Sequence, residues 1–502
     1  MSAHKKIEFG ISRNVPSDSG WFRILEQEMV PSRVVDGPET PIALFERELP
    51  AWAEPFLRKG GIAVITGAEA AAIPWLEGYR GYAAFHHAHF PAPGLEDILL
   101  PACADLFNAE GWGEIRVHEN RYTKNGIRNG RFPLLCRQSV GNGWCLFAGT
   151  PLTRLLTALG DTLRSFSTLT QVTERVSSID KSKIARILTW SLQKAAELAD
   201  IPYPHLWYYP EGAPSVFAFR VDVDGVHGAH LDAVSRAGVE SALPISFFIN
   251  KSMCQEHVSS IRKIDPLHEI GNHGDVHNLF DDEDANARNV EQCRAWLQSE
   301  SIPNGPWYVA PRGMWNVNLG NALDALGYEY SSDFGLDFDG LPFFPRFCGR
   351  RLKLLQIPIH PYSVERAFRF SEETGQQEPE AQEILEYFKN VSLLQIQTDQ
   401  PVFLYSHPER FGPVAAKVLP ELKAFLAAHG AEATTLSRYC AWWKKRDAVR
   451  YEAEYNPDAG TLTVRGGIPS GVRLNVITSR PVTVHLPAGG AEALLNRGRL
   501  IL

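Results

Sequence analysis

Short apolar runs recur at helix-sized intervals through the second half of this chain, at 216–223, 243–248, 307–310, 328–331, 354–359 and 402–406. Strands spaced in this way pair in parallel, because each crossover has room for a helix, so residues 206–447 are expected to form a deformed (β/α) barrel. Upstream, PIALFERELPAWAEPFLRKGGIAVITG reads as an apolar strand followed by an amphipathic helix with Leu44, Leu49, Trp52 and Phe56 near helical spacing. A Gly60-Gly61 stop and a second strand at 62–65 complete a β-α-β unit. SVGNGWCLFAGTPLTRLLTALGD, near residue 140, repeats the theme, and residues 1–168 are expected to form an open, Rossmann-like α/β domain. Between Ser177 and Asp200 a capped pattern puts Ile184, Ile187, Leu188, Leu192 and Ala195 on one side, which marks a connecting helix within a 169–205 linker. From residue 448 alternating runs (TLTVRG, VRLNVITS, PVTVHL) lie between Gly and Pro turns, the pattern of a small β-sandwich over 448–502.

Composition narrows the classes of function. A chain of 502 residues exceeds what one core can hold, in keeping with several domains, and 44% hydrophobic with 22% charged residues is ordinary globular composition. A net charge of -8 without a Lys/Arg block gives nucleic acid or anionic lipid nothing to bind. MSAHKKIEFGISRN turns polar where a secretory leader needs an apolar core, and no run reaches membrane-spanning length, so a cytoplasmic protein without membrane insertion is expected. The seven cysteines are odd in number and scattered, and are expected to be reduced thiols.

The candidate chemistry lies in five segments of the second half. In FRVDVDG the strand period puts Arg220, Asp222 and Asp224 on one face and Val221 and Val223 on the other, so two acids converge at a strand's carboxyl end. An Asp-Gly turn in which the acids cap backbone groups is the alternative. His273 and His277 in EIGNHGDVHN, four apart, would share a face on a helical turn and could hold one cation; a solvated helix start explains the spacing equally well in a chain with 16 histidines. His407 follows the apolar strand PVFLYS and sits where an imidazole could protonate a leaving group. Asp333, after the strand at 328–331, could accept the other ring N–H of His407 or cap a helix. Phe85-His86-His87-Ala88-His89 reads as a strand with alternating faces and is given no site.

In this order the segments resemble the polysaccharide deacetylase family, carbohydrate esterase family four, over about residues 206–447. The resemblance implies Asp222 as general base, Asp224, His273 and His277 as metal ligands, and His407 as general acid buttressed by Asp333. Two departures are plain: Val223 separates acids that are usually adjacent, and Gly274 stands where a hydroxyl residue is usual. The family's Arg two positions before a proline is also missing, since Val309 precedes Pro311 by two. Arg312 follows that proline, where the family uses a backbone N–H to bind the oxyanion, and either Arg220 or Arg312 could supply the positive charge beside Asp222. More weakly, RKGGIAVITG and SVGNGWCLFAG look like a glutamine-amidotransferase-like accessory domain; no Gly-x-Cys-x-Gly or Gly-x-Ser-x-Gly elbow accompanies them, so no such chemistry is expected there.

The resemblance implies a metal-dependent hydrolase that removes an acetyl group, N-acetyl before O-acetyl, from a sugar, with zinc as the cation and cobalt or manganese as substitutes. Without an evident export signal, a small saccharide intermediate of surface-polysaccharide synthesis is the expected substrate. Hydrolysis of a small non-sugar amide and a catalytically silent carbohydrate-binding protein are the alternatives. Trp315, Asn316 and Phe334, beside the motifs, could line a sugar pocket.

Overall fold

The computed structural model describes residues 4–69, 73, 75–117, 130–166, 172–225, 228–375, 377–487 and 492–495. The expected boundary at 168/169 and the last residues of the expected C-terminal module lie outside them.

The second half is built on a parallel sheet whose spatial order is Leu355–Gln356, Tyr330–Ser331, Trp307–Tyr308, Glu269–Asn272, Ile245–Ile249, Ser215–Val223 and Val402–Ser406. Ala431–Ala433 adds parallel to the start of Ser215–Val223. The two edge strands do not pair among the described residues. The His360 N–H, donating to Phe403 O at 3.0 Å, and the Tyr405 hydroxyl, donating to Pro361 O at 3.3 Å, tie the ends together, so the sheet is a half-barrel.

Alternation along the strands explains how this sheet is buried on both faces. Phe217, Phe219, Val221 and Val223 point outward with Ile245 and Phe247 against the helices Gly228–Glu240, Ala381–Gln397 and Pro408–Ala428. Ala218, Phe248, Tyr330 and Phe403 point inward and pack on Trp207, Tyr209, Tyr439 and Trp443, which plug the interior. Each such fully buried aromatic or aliphatic side chain is worth about 1.5–3 kcal/mol.

The ladder register aligns the strands' carboxyl ends. Val223 lies opposite Ile249, Ile249 opposite Asn272, Asn272 opposite Tyr308, Tyr308 opposite Ser331, and Val221 opposite Ser406. The residues that follow each strand therefore emerge along one edge, and these include Asp224, His273, Pro311, Asp333 and His407.

The first half holds a seven-stranded sheet in which Ser32–Val35, Phe9–Ser12, Ile42–Glu46, Ile62–Thr66 and Gly143–Ala148 run parallel. Leu135–Val140 and Glu110–Trp112 extend it antiparallel, and Tyr79–His89, Ile98–Phe107, Glu114–Val117 and Gly130–Phe132 form a second, antiparallel sheet. The connecting helix runs Lys181–Leu198, with Ile184, Ile187, Leu188, Leu192 and Ala195 buried.

The strands beyond residue 450 do not close on themselves. Tyr451–Asn456 pairs with the N-terminal Lys5–Ile7, and Arg473–Ile477 pairs with Tyr203–Leu206, so the expected separate sandwich is instead two small sheets that clasp the chain's beginning and middle. Edge strands need partners, and distant segments supplied them. All seven cysteines are free, Cys103 and Cys348 exposed and the rest buried. No described helix is long and apolar enough to cross a membrane.

Candidate metal centre

Asp224, His273 and His277 converge at the edge defined by the strand ends, with one ligand atom from each lying within 4.8 Å of the others. Asp224 leaves the end of Ser215–Val223, and His273 directly follows Glu269–Asn272. The helical turn expected for the histidine pair is absent: His273–Asn278 is irregular, and the next helix begins at Glu283. A loop held by side chains replaces it. Gly274 takes a left-handed φ of 87°, and its N–H donates to Asn272 Oδ1 at 2.8 Å. The Val276 N–H donates to Asn289 Oδ1 at 2.8 Å, and the Asp275 N–H to Asn289 O at 3.0 Å. These bonds fold His277 back so that its ring centroid lies 5.1 Å from that of His273.

The protonation states suit a cation. Burial pushes His273 down to about 4, against the pull of Asp222 and Asp224, so its ring is neutral near pH 7. His273 Nδ1 lies 2.8 Å from Val309 O; that contact fixes the Nδ1–H tautomer and leaves the Nε2 lone pair for a metal. Burial alone would raise the Asp224 carboxyl, but the charge of His407 first, and then the bond from His277, outweigh it and hold Asp224 well below the usual carboxylate range. Two imidazoles and one carboxylate, with His277 Nε2 3.1 Å from Asp224 Oδ2, make a donor set that could hold a divalent cation.

Arg220 answers which arginine stands beside Asp222. Its Nη2 donates to Asp222 Oδ2 at 2.7 Å, while Nη1 donates to Ser332 O at 2.5 Å and the guanidinium lies 4.7 Å from the Tyr405 ring centroid. Asp222 Oδ1 is left buried without a partner, a lone pair free to accept a proton. Arg312 does not reach Asp222. Its side chain is exposed and its backbone takes φ 60° in the short turn Pro311–Gly313.

Asp333 also departs from expectation. It is fully buried, accepts from the Ala310 N–H at 2.7 Å and from the Ser331 hydroxyl, and does not touch His407. Burial pushes it up to about 6, against those bonds and the charge of Arg220. By holding Ala310, it positions the turn that carries Arg312. The place beside His407 belongs to Glu365, 3.4 Å from Nδ1, and to Ser363, whose hydroxyl is also 3.4 Å away. His407 Nε2 lies 3.8 Å from Asp224 Oδ2. Burial works against the charged imidazole, but Asp224, Asp222, Glu365 and Glu409 together hold His407 above its ordinary value, the state of a proton donor.

A pocket of about 380 Å³ opens over these groups, with Glu174, Met253, Phe334, Arg366 and Tyr405 among its walls. Trp315 and Asn316 are not among them. Trp315 packs with its ring centroid 5.2 Å from that of Phe347, and Asn316 caps the helix Val317–Ala325. Sequence reasoning missed Ser363, Glu365 and Arg366, although Ser-Val-Glu-Arg after the apolar run LLQIPIH carries the signal of a helix starting at a strand end. Glu174 carried no local signal. Burial pushes the Glu409 carboxyl, in the first turn after His407, up to about 7.

No protein-family model matches the chain, and no curated protein does. Among solved structures, it is similar to a protein assigned as a polysaccharide deacetylase from Mycobacterium smegmatis, at 20% identity over 47% of this chain and 93% of that one, with a TM-score of 0.43. It is also similar to Puue allantoinase, at 15% identity over 47% and 93% of the two chains, with a TM-score of 0.39. A third is a family 4 carbohydrate esterase from Streptomyces lividans in complex with acetate, at 10% identity over 45% and 94%, with a TM-score of 0.31.

Proposed function

We propose that this chain is a metal-dependent hydrolase that removes an acetyl group, in the first instance an N-acetyl group, from a small saccharide. The observation that carries the reading is the convergence of Asp224, His273 and His277 beside an unpartnered oxygen of Asp222 in a pocket that His407 also enters. The acetyl group and the sugar rest on the order and kind of the five sequence motifs. Asp224, His273 and His277 would hold a divalent cation, whose Lewis acidity would polarise an acyl group and lower the pKa of a water.

The chain's own residues do the rest. Asp222, pinned by Arg220, takes the proton of the attacking water on Oδ1. The turn carrying the Arg312 N–H, held by Asp333 through Ala310, faces the developing oxyanion; losing one such donor typically costs about 2.7–4 kcal/mol of barrier. His407, charged among carboxylates, gives its proton to the departing amine.

The test pairs metal analysis of the purified protein with acetate release from N-acetylhexosamines and simple acetamides. One equivalent of zinc, with acetate released from the sugars and stimulated by added zinc, cobalt or manganese, is the expected result. A folded protein that neither retains metal nor releases acetate when metal is supplied would falsify the proposal.

A further inference from the structure

The pocket's wall is completed from outside the catalytic sheet. Asp161–Phe166 and Val172–Ser177 form an antiparallel hairpin, and the Ser177 N–H donates to Phe334 O at 3.1 Å. The Phe334 N–H in turn donates to Gly313 O at 3.3 Å, so the hairpin is coupled to the turn that carries Arg312. On its other side, buried Glu174 binds Arg366 of the helix Val364–Thr374, with Arg366 Nε 2.8 Å from Glu174 Oε1. Two arginines thus flank one hairpin at the rim of one pocket.

Their surroundings differ from those of the carboxylates below them. Asp222 faces Arg220, Asp224 faces His277, and Glu365 faces His407. Among the described residues Arg312 has no ion-pair partner. It also holds a left-handed backbone, φ 60° and ψ 18°, which glycine adopts without penalty and arginine does not. An exposed, unpaired guanidinium on a strained turn and a second that a buried carboxylate holds by its Nε edge both line this pocket, and guanidinium is the side-chain group whose fork of donors matches a phosphate or carboxylate.

We propose that Arg312 and Arg366 select substrates that carry an anionic group, a phosphate or a carboxylate, next to the acylated position, and that Glu174 is the residue that positions Arg366. This rests on the hydrolase reading only in taking the same pocket as the substrate site.

The experiment is calorimetric binding of N-acetylglucosamine, N-acetylglucosamine 1-phosphate and an N-acetylated aminouronic acid to the full-length protein at low and at 0.5 M salt. The anionic sugars should bind about tenfold or more tightly than the neutral one, an advantage that salt reduces. R312Q and R366Q should each remove most of it, and E174Q should lower it in the wild-type background but not in R366Q. Preference for the phosphate alone, or for both acids, supports the proposal and identifies the anion. Equal binding of charged and neutral sugars, a preference unchanged in both arginine variants, or no binding of any of the three overturns it. Acetate release is read separately, so a protein that prefers anionic sugars without hydrolysing them keeps this proposal and loses the catalytic one.

Discussion

Two polar clusters, one half-buried and one fully buried, set a carboxylate beside an imidazole, and they resolve in opposite ways. At the candidate metal centre Asp224 faces His277 and His407, and the possible ligand atoms of Asp224, His273 and His277 lie within 4.8 Å of one another. At the junction of the first half, the connecting segment and the barrel, Glu28 lies 3.5 Å from His205 Nδ1, each side chain only 1% exposed. There the Tyr208, Tyr203 and Thr189 hydroxyls donate to Glu28 at 2.6, 2.9 and 3.1 Å. Next to it Arg446 donates to the backbone oxygens of Trp207, Gln27 and Leu206 at 2.9, 2.6 and 2.6 Å. Burial still pushes Glu28 up, against those hydroxyls and the charge of Arg446, whereas surrounding imidazoles hold Asp224 down. A buried acid saturated by hydrogen bonds from fixed neighbours is a structural node, whereas one that faces other potential ligand atoms with few donors between them could take up a cation.

The sharpest way to break this contrast is D224N. It should strip the purified protein of stoichiometric metal and lower acetate release by about 10³-fold or more, the several kcal/mol of Lewis-acid catalysis, with the thermal midpoint little changed. Retention of metal by D224N in elemental analysis would remove Asp224 from the ligand set.

R446M is the counterpart at the junction. Removing the cation leaves buried carbonyls and Glu28 uncompensated and should cost about 3–5 kcal/mol in urea unfolding, while metal bound per folded molecule stays constant.

His205 separates the clusters by pH. Burial first and Arg446 second push it down to about 3, so between pH 6.5 and 3 the unfolded chain binds a proton that the folded chain refuses. The groups packed around the ring are Glu28, Tyr203, Tyr208 and Asn475. Stability is therefore fully present above 6.5 and lost as pH falls, by about 2 kcal/mol between pH 7 and pH 5. H205Q should flatten that slope in urea midpoints measured across the range; an unchanged slope would assign it to other groups.

The smallest effect sharpens the metal side. A Cβ at Gly274, φ 87°, would meet Asn289 Nδ2 at 2.8 Å, so G274A should cost about 1 kcal/mol and loosen the loop that carries His277. Weaker zinc binding, measured by competition with a chromophoric chelator, is the readout.

How far the site was legible depends on how local its causes are. Strand alternation alone turns Arg220 and Asp222 away from Val221 and Val223, and that pair forms in the molecule at 2.7 Å. The geometry at His277 was not legible, because Asn289, thirteen residues on from Val276, replaces the expected helical turn. Nor was the neighbour of His407: Asp333 follows a strand end and Glu365 opens the helix Val364–Thr374, and only the packing decides which one turns toward the imidazole.

By itself the sequence determined the parallel sheet of the second half and the edge at which the candidate site residues emerge, since apolar period and helix-length spacing act within a few residues. Only the tertiary structure decided that the terminal strands clasp Lys5–Ile7 and Tyr203–Leu206, that Glu174 walls the pocket, and that Glu28 and Arg446 are buried in one polar cluster. Those pairings join residues up to hundreds of positions apart, and they are selected by which buried donors and strand edges remain unsatisfied once the local elements have packed.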